Sequence, residues 1–429
     1  MNDSSLHVED EMPALPLVNE DDQRQTSLQE EDMYLDADES LIRIHKQANR
    51  VLEAIRDEAS GDTGLRPEPT FPISRVAELV GRTDSLIREA EKAGRLPEPQ
   101  RGQNGRRVNY PLSAVNHMRQ VFGTAPRREA YEEPAIIAVQ NFKGGVGKST
   151  IAVNLAQYLA VKGYRVCLID CDSQATSTSM FGYRPDLDLD GDLDTLYGYL
   201  RAPEEGVQPR MIKDTHFDGL KLVPANLDLY LSEYEIAAEV ARTDGDDAAL
   251  VFNRLGDAVR EIANDFDIVI LDPPPALGMI SLGVLSVANA MVIPVPPTIV
   301  DFSSTASFVG MACQSMQHLA RYRARPIFNF VRIVASKTTE NKGMHKTVLN
   351  LMQDVFGRSM LNSTLKESAE IDNASSRFKT VYELDRPISK RDVHERCLAS
   401  LNAVCSEIEL EVRRTWPSHA ETLAREGLA

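Results

Sequence analysis

Cysteine is scarce in this 429-residue chain, with five residues and no Cys-x-x-Cys pair. That odd, unpaired set excludes a disulfide framework, the usual zinc spacing and the ligands of an iron–sulfur centre. Cys167 and Cys171 fall on one side of an expected strand and read as small core residues. No clean apolar run is long enough for a bilayer. The one long uncharged stretch, Pro273 to Val300, is broken by six prolines and by Ser281, Ser286 and Asn289. The first residues, Met-Asn-Asp-Ser-Ser, lack the basic start and apolar middle of a signal peptide, so a cytosolic protein is expected. Positive charge is in deficit as well: 47 Lys and Arg against 64 Asp and Glu give a net charge of −17, which taken alone argues against a nucleic-acid partner.

That average conceals an uneven distribution. Residues 1–40 hold thirteen acids and only Arg24 as a base, a net of −12. Two embedded regions are basic: residues 66–128 carry twelve Lys or Arg against six acids, and residues 321–396 carry fifteen against nine. A polyanion therefore stays a candidate partner. The length exceeds what one core usually organises, so several folded units are expected.

Residues 1–39 lack apolar periodicity and read as a disordered acidic tail. Leu41, Ile44, Ala48, Val51, Leu52 and Ile55 then recur at helical spacing, predicting an amphipathic helix over 40–61. Its stripe could pack on the next domain or pair with its copy in a second chain. Gly61 to Pro72, with three prolines, reads as a linker. Over 70–126 the pattern becomes two short helices broken at Gly81, with Thr83 or Asp84 as cap, then a basic turn at Arg106-Arg107-Val-Asn-Tyr110 and another helix. Two helices and a basic hairpin suggest a winged helix-turn-helix, in which Ser85, Arg88 and Lys92 enter the major groove while Arg106 and Arg107 hold phosphates. This segment resembles the winged domain of MerR-type regulators. Residues 127–134 read as a charged linker, and residues 416–429 as a C-terminal tail.

From 134 to 415 the apolar runs Ala135–Val139, Arg165–Ile169, Ile268–Leu271, Met291–Val295 and Ile327–Val331 alternate with helical stretches at 149–162, 247–264 and 302–320. Continuous apolar strands between helices predict an α/β domain with a doubly wound, mostly parallel sheet.

The first of these strands leads into Lys143-Gly144-Gly145-Val146-Gly147-Lys148-Ser149-Thr150 and then a helix. The glycines let successive N–H groups and the helix N-terminus face a polyphosphate, Lys148 supplies charge to it, and Ser149 can ligate Mg²⁺. A standard P-loop would have glycine at 142, where this chain has phenylalanine, so the match is to a deviant version with lysine before the glycines. Two other strands end in carboxylates, at Asp170-Cys-Asp172 and at Asp272-Pro-Pro-Pro275. At the carboxyl ends of a parallel sheet these suit a metal and a positioned water, with Asp272 toward Mg²⁺ and Asp172 toward the water.

These motifs, in this order, resemble the ParA family of deviant Walker ATPases. Asp301-Phe-Ser-Ser-Thr305 and the winged module resemble its long form, and Gln157-Tyr-Leu-Ala, Gly163-Tyr-Arg-Val and Tyr382-Glu-Leu-Asp385 resemble the RepA partition ATPases of repABC replicons. The resemblance implies ATP, ADP and Mg²⁺ as ligands, and an ATP-joined homodimer in which Lys143 reaches the partner's phosphates. It also implies non-specific DNA binding on the nucleoid, hydrolysis stimulated by a ParB-type centromere-binding protein, and repression of the chain's own operon by the winged module. Arg332, Lys337, Lys366, Lys390 and Arg391 are the bases expected for non-specific DNA contacts. Ser173 replaces the usual Pro of the family's Asp-Pro-Gln. Two other readings are a nucleotide-regulated repressor without a segregation role and a MinD-like positioning ATPase. The latter would use a basic amphipathic C-terminus, whereas residues 417–429 are short and not basic.

Overall fold

The computed structural model describes residues 37–60, 66–103, 105–201, 211–243, 246–319, 327–339, 343–384 and 386–428. Residues 1–36 of the expected tail and 61–65 of the expected linker lie outside them. Two compact units divide at Glu58/Ala59. In the first, the helix Ala37–Ser60 carries the expected stripe, with Leu41, Ile44 and Val51 exposed.

The second unit opens with β1 (Thr70–Phe71), which pairs antiparallel with β2 (Tyr110–Pro111). Between them lie helices Ile73–Val80 and Asp84–Lys92. The first helix ends because Gly81 adopts φ 66°, and the second starts where Thr83 Oγ1 accepts from Leu86 N at 3.3 Å. A hairpin bridged antiparallel at Arg101 and Arg107 precedes β2, and helix Leu112–Phe122 closes the module. These elements follow one another in the order that the sequence pattern over 70–126 gives.

The large sheet has the order β5-β6-β4-β7-β3-β8-β9. Its strands are β3 (Ala135–Val139), β4 (Val166–Asp170), β5 (Lys213–Asp214), β6 (Leu220–Val223), β7 (Ile268–Asp272), β8 (Ala290–Val295) and β9 (Phe330–Ala335). All neighbours are parallel except β5 on β6. β3, β4 and β7 are buried at every position, as strands covered on both faces must be. The last strand runs later than its expected place at 327–331. Ile327 is exposed, and the pairing of Phe330 with Ala290 sets the register from there.

Packing ties three segments outside the sheet to the sheet domain. The winged module is not a bead on a linker, because its core residues Val76, Val80, Ile87 and Leu112 belong to one apolar cluster with Leu155, Leu159 and Val166 of the sheet domain. Buried Arg119 stitches the two, donating from Nη2 to Val161 O (2.6 Å) and from Nε to Leu79 O (3.2 Å). Burial lowers its pKa to about 10 against the opposing charge of Glu409. Gly163, at φ 105°, makes room for it: a Cβ there would lie 2.8 Å from Arg119 Cδ.

Residues 127–134 are likewise docked. Arg128 donates to Phe266 O and Glu132 O, and the Glu132 carboxylate accepts from Ser418 N and Oγ at 2.7 Å each. The supposed C-terminal tail is therefore part of the fold. Trp416 is fully buried and donates Nε1–H to Glu133 O, and the helix Ala420–Glu426 buries Leu423. Local sequence carries no sign of the contacts between residues 132–133 and 416–418, because the partners lie 283 and 286 positions apart. Among the described residues no helix is long and apolar enough to cross a membrane.

Candidate functional site

β3 delivers the chain into the glycine loop, and the helix Lys148–Lys162 leaves it. Gly145 and Gly147 take φ of 72° and 96°, a region closed to most side chains, so glycine at these positions is what permits the curl. The loop is pinned from three sides. Asn141 Oδ1 accepts from Lys143 N (3.1 Å), Asn141 Nδ2 donates to Pro294 O (2.9 Å), and Ser336 Oγ at the end of β9 donates to Val146 O (2.8 Å). Asn141 Nδ2 also reaches Thr305 Oγ1, which ties the Asp301–Thr305 motif to the loop.

Lys148 is buried, with its ammonium 3.5 Å from Lys143 O. Burial lowers its pKa, opposed by the charges of Asp272 and Asp172. Asp272 ends β7 in register with Asp170 at the end of β4. Ser177 Oγ donates to Asp272 Oδ2 at 2.7 Å, while Asp272 Oδ1 is buried with no hydrogen-bond partner among the described residues. Burial pushes the Asp272 carboxyl upward, against the Ser177 and Ser149 hydroxyls and the Lys148 charge.

An unpaired buried oxygen beside a serine hydroxyl fits a hard cation or the water around one. No cluster of three or more His, Cys, Asp or Glu among the described residues could hold a metal unaided. Magnesium here would depend on Ser149, Asp272 and the phosphates it arrives with. Once bound, it would supply charge to the phosphate oxygens.

Asp170, to which the motif alone assigns no role, joins the site. It is fully buried and accepts from Thr178 N (2.8 Å) and Thr178 Oγ1 (2.7 Å), and burial together with Asp272 pushes its pKa upward. The available signal was a carboxylate closing an otherwise apolar strand. Asp172, two residues on, is half-buried and turns the chain by accepting Gln174 N at 3.0 Å. Its charge is among those that oppose the lowering of the Lys148 pKa. Lys143 leans away, its Nζ 2.5 Å from Asp301 Oδ1 in the same chain, and Asp301 Oδ2 also accepts from Thr298 Oγ1 at 2.6 Å. A cavity of ≈ 280 Å³ extends from the loop, lined by Ser149, Thr150, Asn154, Gln174, Thr176 and Phe378 among others.

In the winged module, Ser85, Arg88 and Lys92 are all exposed on the outer face of the second helix, whose inner face buries Ile87, Ala90 and Glu91. Arg106 is exposed on the hairpin. Arg107 is not offered outward as expected. Its Nη1 binds Glu91 Oε2 (2.5 Å) and Tyr110 OH (2.7 Å), and Tyr110 OH donates to Glu91 Oε1. The guanidinium fastens the wing to the helix, because a buried Glu91 needs a counter-charge.

Arg332 is also spent inside the chain, on Glu411 at 2.5 Å. Lys337, Lys366, Lys390 and Arg391 are exposed. Lys366 bridges to Thr338 beside Lys337, and its N–H donates to Ser400 Oγ on the helix Arg391–Arg414. Arg391 pairs with Glu395.

A family model described as an AAA domain matches residues 134–311. A replication protein A of Rhizobium rhizogenes is 31% identical over 367 residues, covering 83% of this chain and 89% of that protein. SopA of Escherichia coli K12 is 32% identical over 343 residues, covering 78% of this chain and 86% of SopA. Among solved structures, a partition protein superimposes with a TM-score of 0.59 at 20% identity, covering 87% of this chain and 98% of that one. That likeness speaks to the fold.

Proposed function

The chain belongs to the ParA family of plasmid partition ATPases, and from that premise we propose that ATP joins two protomers into a DNA-binding dimer that hydrolysis takes apart. The observation that carries this reading is the meeting of the glycine loop, buried Lys148 and the half-satisfied Asp272 at one end of the sheet. The Gly144–Thr150 backbone cradles the phosphates, with Lys148 against them. Ser149 and Asp272 hold Mg²⁺, and Asp172 orients the attacking water. Lys143 leaves Asp301 and crosses to the partner protomer's phosphates, which makes the nucleotide a dimer switch.

The dimer binds nucleoid DNA through Lys337, Lys366, Lys390 and Arg391, a contact that weakens steeply with salt. A ParB-type centromere-binding protein stimulates hydrolysis and releases the dimer. The winged module represses the chain's own operon by reading an operator through Ser85, Arg88 and Lys92, with Arg106 on a phosphate. Control of that module by nucleotide is supported by Arg119, which grips the last turn of the helix that starts at Lys148.

The test is turnover with and without DNA and partner. Asp172→Ala should retain ATP and dimerise yet hydrolyse at least about a hundredfold more slowly, the scale of losing a positioned base. Unchanged turnover in that variant removes Asp172 from the mechanism.

A further inference from the structure

We propose that the outward face at the start of the helix Leu229–Arg242 is where the ParB-type partner docks, through a cationic amphipathic segment, and that Glu233 relays this docking to the Asp272 loop. The proposal rests on the partition reading and gives its partner a place. The helix buries Leu229, Ser232 and Ile236 on its inner side. Facing out are Leu227 (59% exposed), Tyr230 (50%), Leu231 (47%) and Tyr234 (60%). Their spacing of i, i+3, i+4 and i+7 makes one apolar stripe on the wrong side of the helix for the core, the pattern that receives another amphipathic element. The stripe is ordered in advance. The rings of Tyr230 and Tyr234 meet edge-on at 5.2 Å, and their hydroxyls share a hydrogen bond of 2.6 Å.

Charge selects the occupant. Asp186 Oδ1 accepts Leu227 N at 3.1 Å, which brings the acidic 184–194 segment against the stripe; within it Asp188, Asp192 and Asp194 pair with Arg184, Arg201 and Lys213. Residues 226–235 add three acids and no base. Asp186, Asp228 and Glu235 bond neutral groups, namely Leu227 N, the Asn226 amide and Tyr197 OH. A second copy meeting this face would set acid against acid, whereas a basic segment is attracted and held.

The relay is the residue between the tyrosines. Glu233 turns inward and accepts Met279 N (2.5 Å) and Ile280 N (3.2 Å), capping the helix Met279–Val287 that follows the Asp272 loop. The fit is close: a Cβ on Gly278 would lie 2.3 Å from the Glu233 carboxylate. A partner that shifts the tyrosine face therefore moves the end of the loop that carries the metal-binding carboxylate.

The experiment measures ATP turnover of the full chain against concentration of its DNA-bound ParB-type partner, with partner binding followed in parallel. In Y230A/Y234A the partner concentration for half-maximal stimulation should rise at least about tenfold, as loss of an aromatic anchor does, while basal turnover and nucleotide affinity hold. Y230F/Y234F should behave as wild type, and added salt should raise the half-maximal concentration. E233Q should bind partner normally and reach a ceiling of stimulation several times lower.

Wild-type stimulation of Y230A/Y234A overturns the docking site, and an unchanged ceiling in E233Q overturns the relay. If Y230A/Y234A instead loses ATP-dependent dimerisation, the face is a self-contact and the assignment to the partner is wrong. No stimulation of the wild-type chain would sink the partition reading itself, an outcome distinct from any variant result.

Discussion

Asp301→Asn should make the dimer form more readily. In the isolated chain Lys143 is held by Asp301 at 2.5 Å, with the lysine 35% and the aspartate 12% exposed. To reach a partner's phosphates Lys143 must first leave that carboxylate. A pair this open to water does not carry the Coulomb energy of a dry ion pair. About 1 kcal/mol, the upper range for exposed pairs, is a reasonable cost of release. Each dimer opens two such pairs, so the substitution should favour the dimer by about 2 kcal/mol, roughly thirtyfold in the dimer dissociation constant. Asparagine is nearly isosteric, keeps the contact to Thr298 and leaves no buried charge unpaired, so the fold should survive. Sedimentation velocity over a protein dilution series, with a non-hydrolysable ATP analogue and magnesium, reads the constant directly. The double variant Lys143→Ala, Asp301→Asn should show no gain. Dimerisation of Asp301→Asn equal to or weaker than wild type would refute the view that this ion pair competes with assembly.

In the winged module, Arg88→Ala should weaken operator binding by about 1–3 kcal/mol and non-specific binding much less, measured by fluorescence anisotropy on both DNAs; equal losses would count against groove readout. Arg107→Ala should instead lower the melting temperature, because it strips the counter-charge from buried Glu91, and a purely DNA-binding defect at unchanged stability would contradict that placement. Acid should unfold the chain through its buried carboxylates. Burial raises the pKa of Glu383, but the hydrogen bond and charge of His216 and the charge of Arg66 outweigh it, leaving the group below its ordinary 4.5. Glu132 and Glu370 are also held below 4.5, by hydrogen bonds that outweigh burial. A depressed carboxylate contributes stability that is complete above the unfolded value and lost as pH falls through the folded one. Denaturant midpoints should therefore drop below about pH 4.5 as these three groups are protonated, and Glu383→Gln should flatten that acid limb. A midpoint independent of pH across that range would be the contrary result.

The phosphate loop was legible in the sequence because its chemistry is local: glycines that allow the curl, a lysine and a serine at fixed spacing, between a strand and a helix. The ends of β4 and β7 were legible because two carboxylates closing apolar strands fall together at the same end of a parallel sheet as the loop, where ligands bind. What escaped the sequence depends on distant partners. Asp170 looked secondary to Asp172 until the β4–β7 register set it beside Asp272. Arg107 and Arg332 looked like DNA contacts, since a basic residue in a basic stretch does not disclose that a glutamate 16 or 79 positions away claims it. The docking of residues 127–134 and 416–428 was hidden likewise, Trp416 giving the only hint as a large apolar ring inside a supposed tail.

The central claim is that the loop at 143–150 encloses a magnesium–triphosphate and that this ligand joins two chains. Light scattering of the purified wild-type chain and of Lys148→Ala, each with and without an ATP analogue and magnesium, tests it most directly. Wild type should double its mass on adding the ligand and Lys148→Ala should stay at its ligand-free mass; ligand-driven doubling in Lys148→Ala, or none in wild type, would contradict the account.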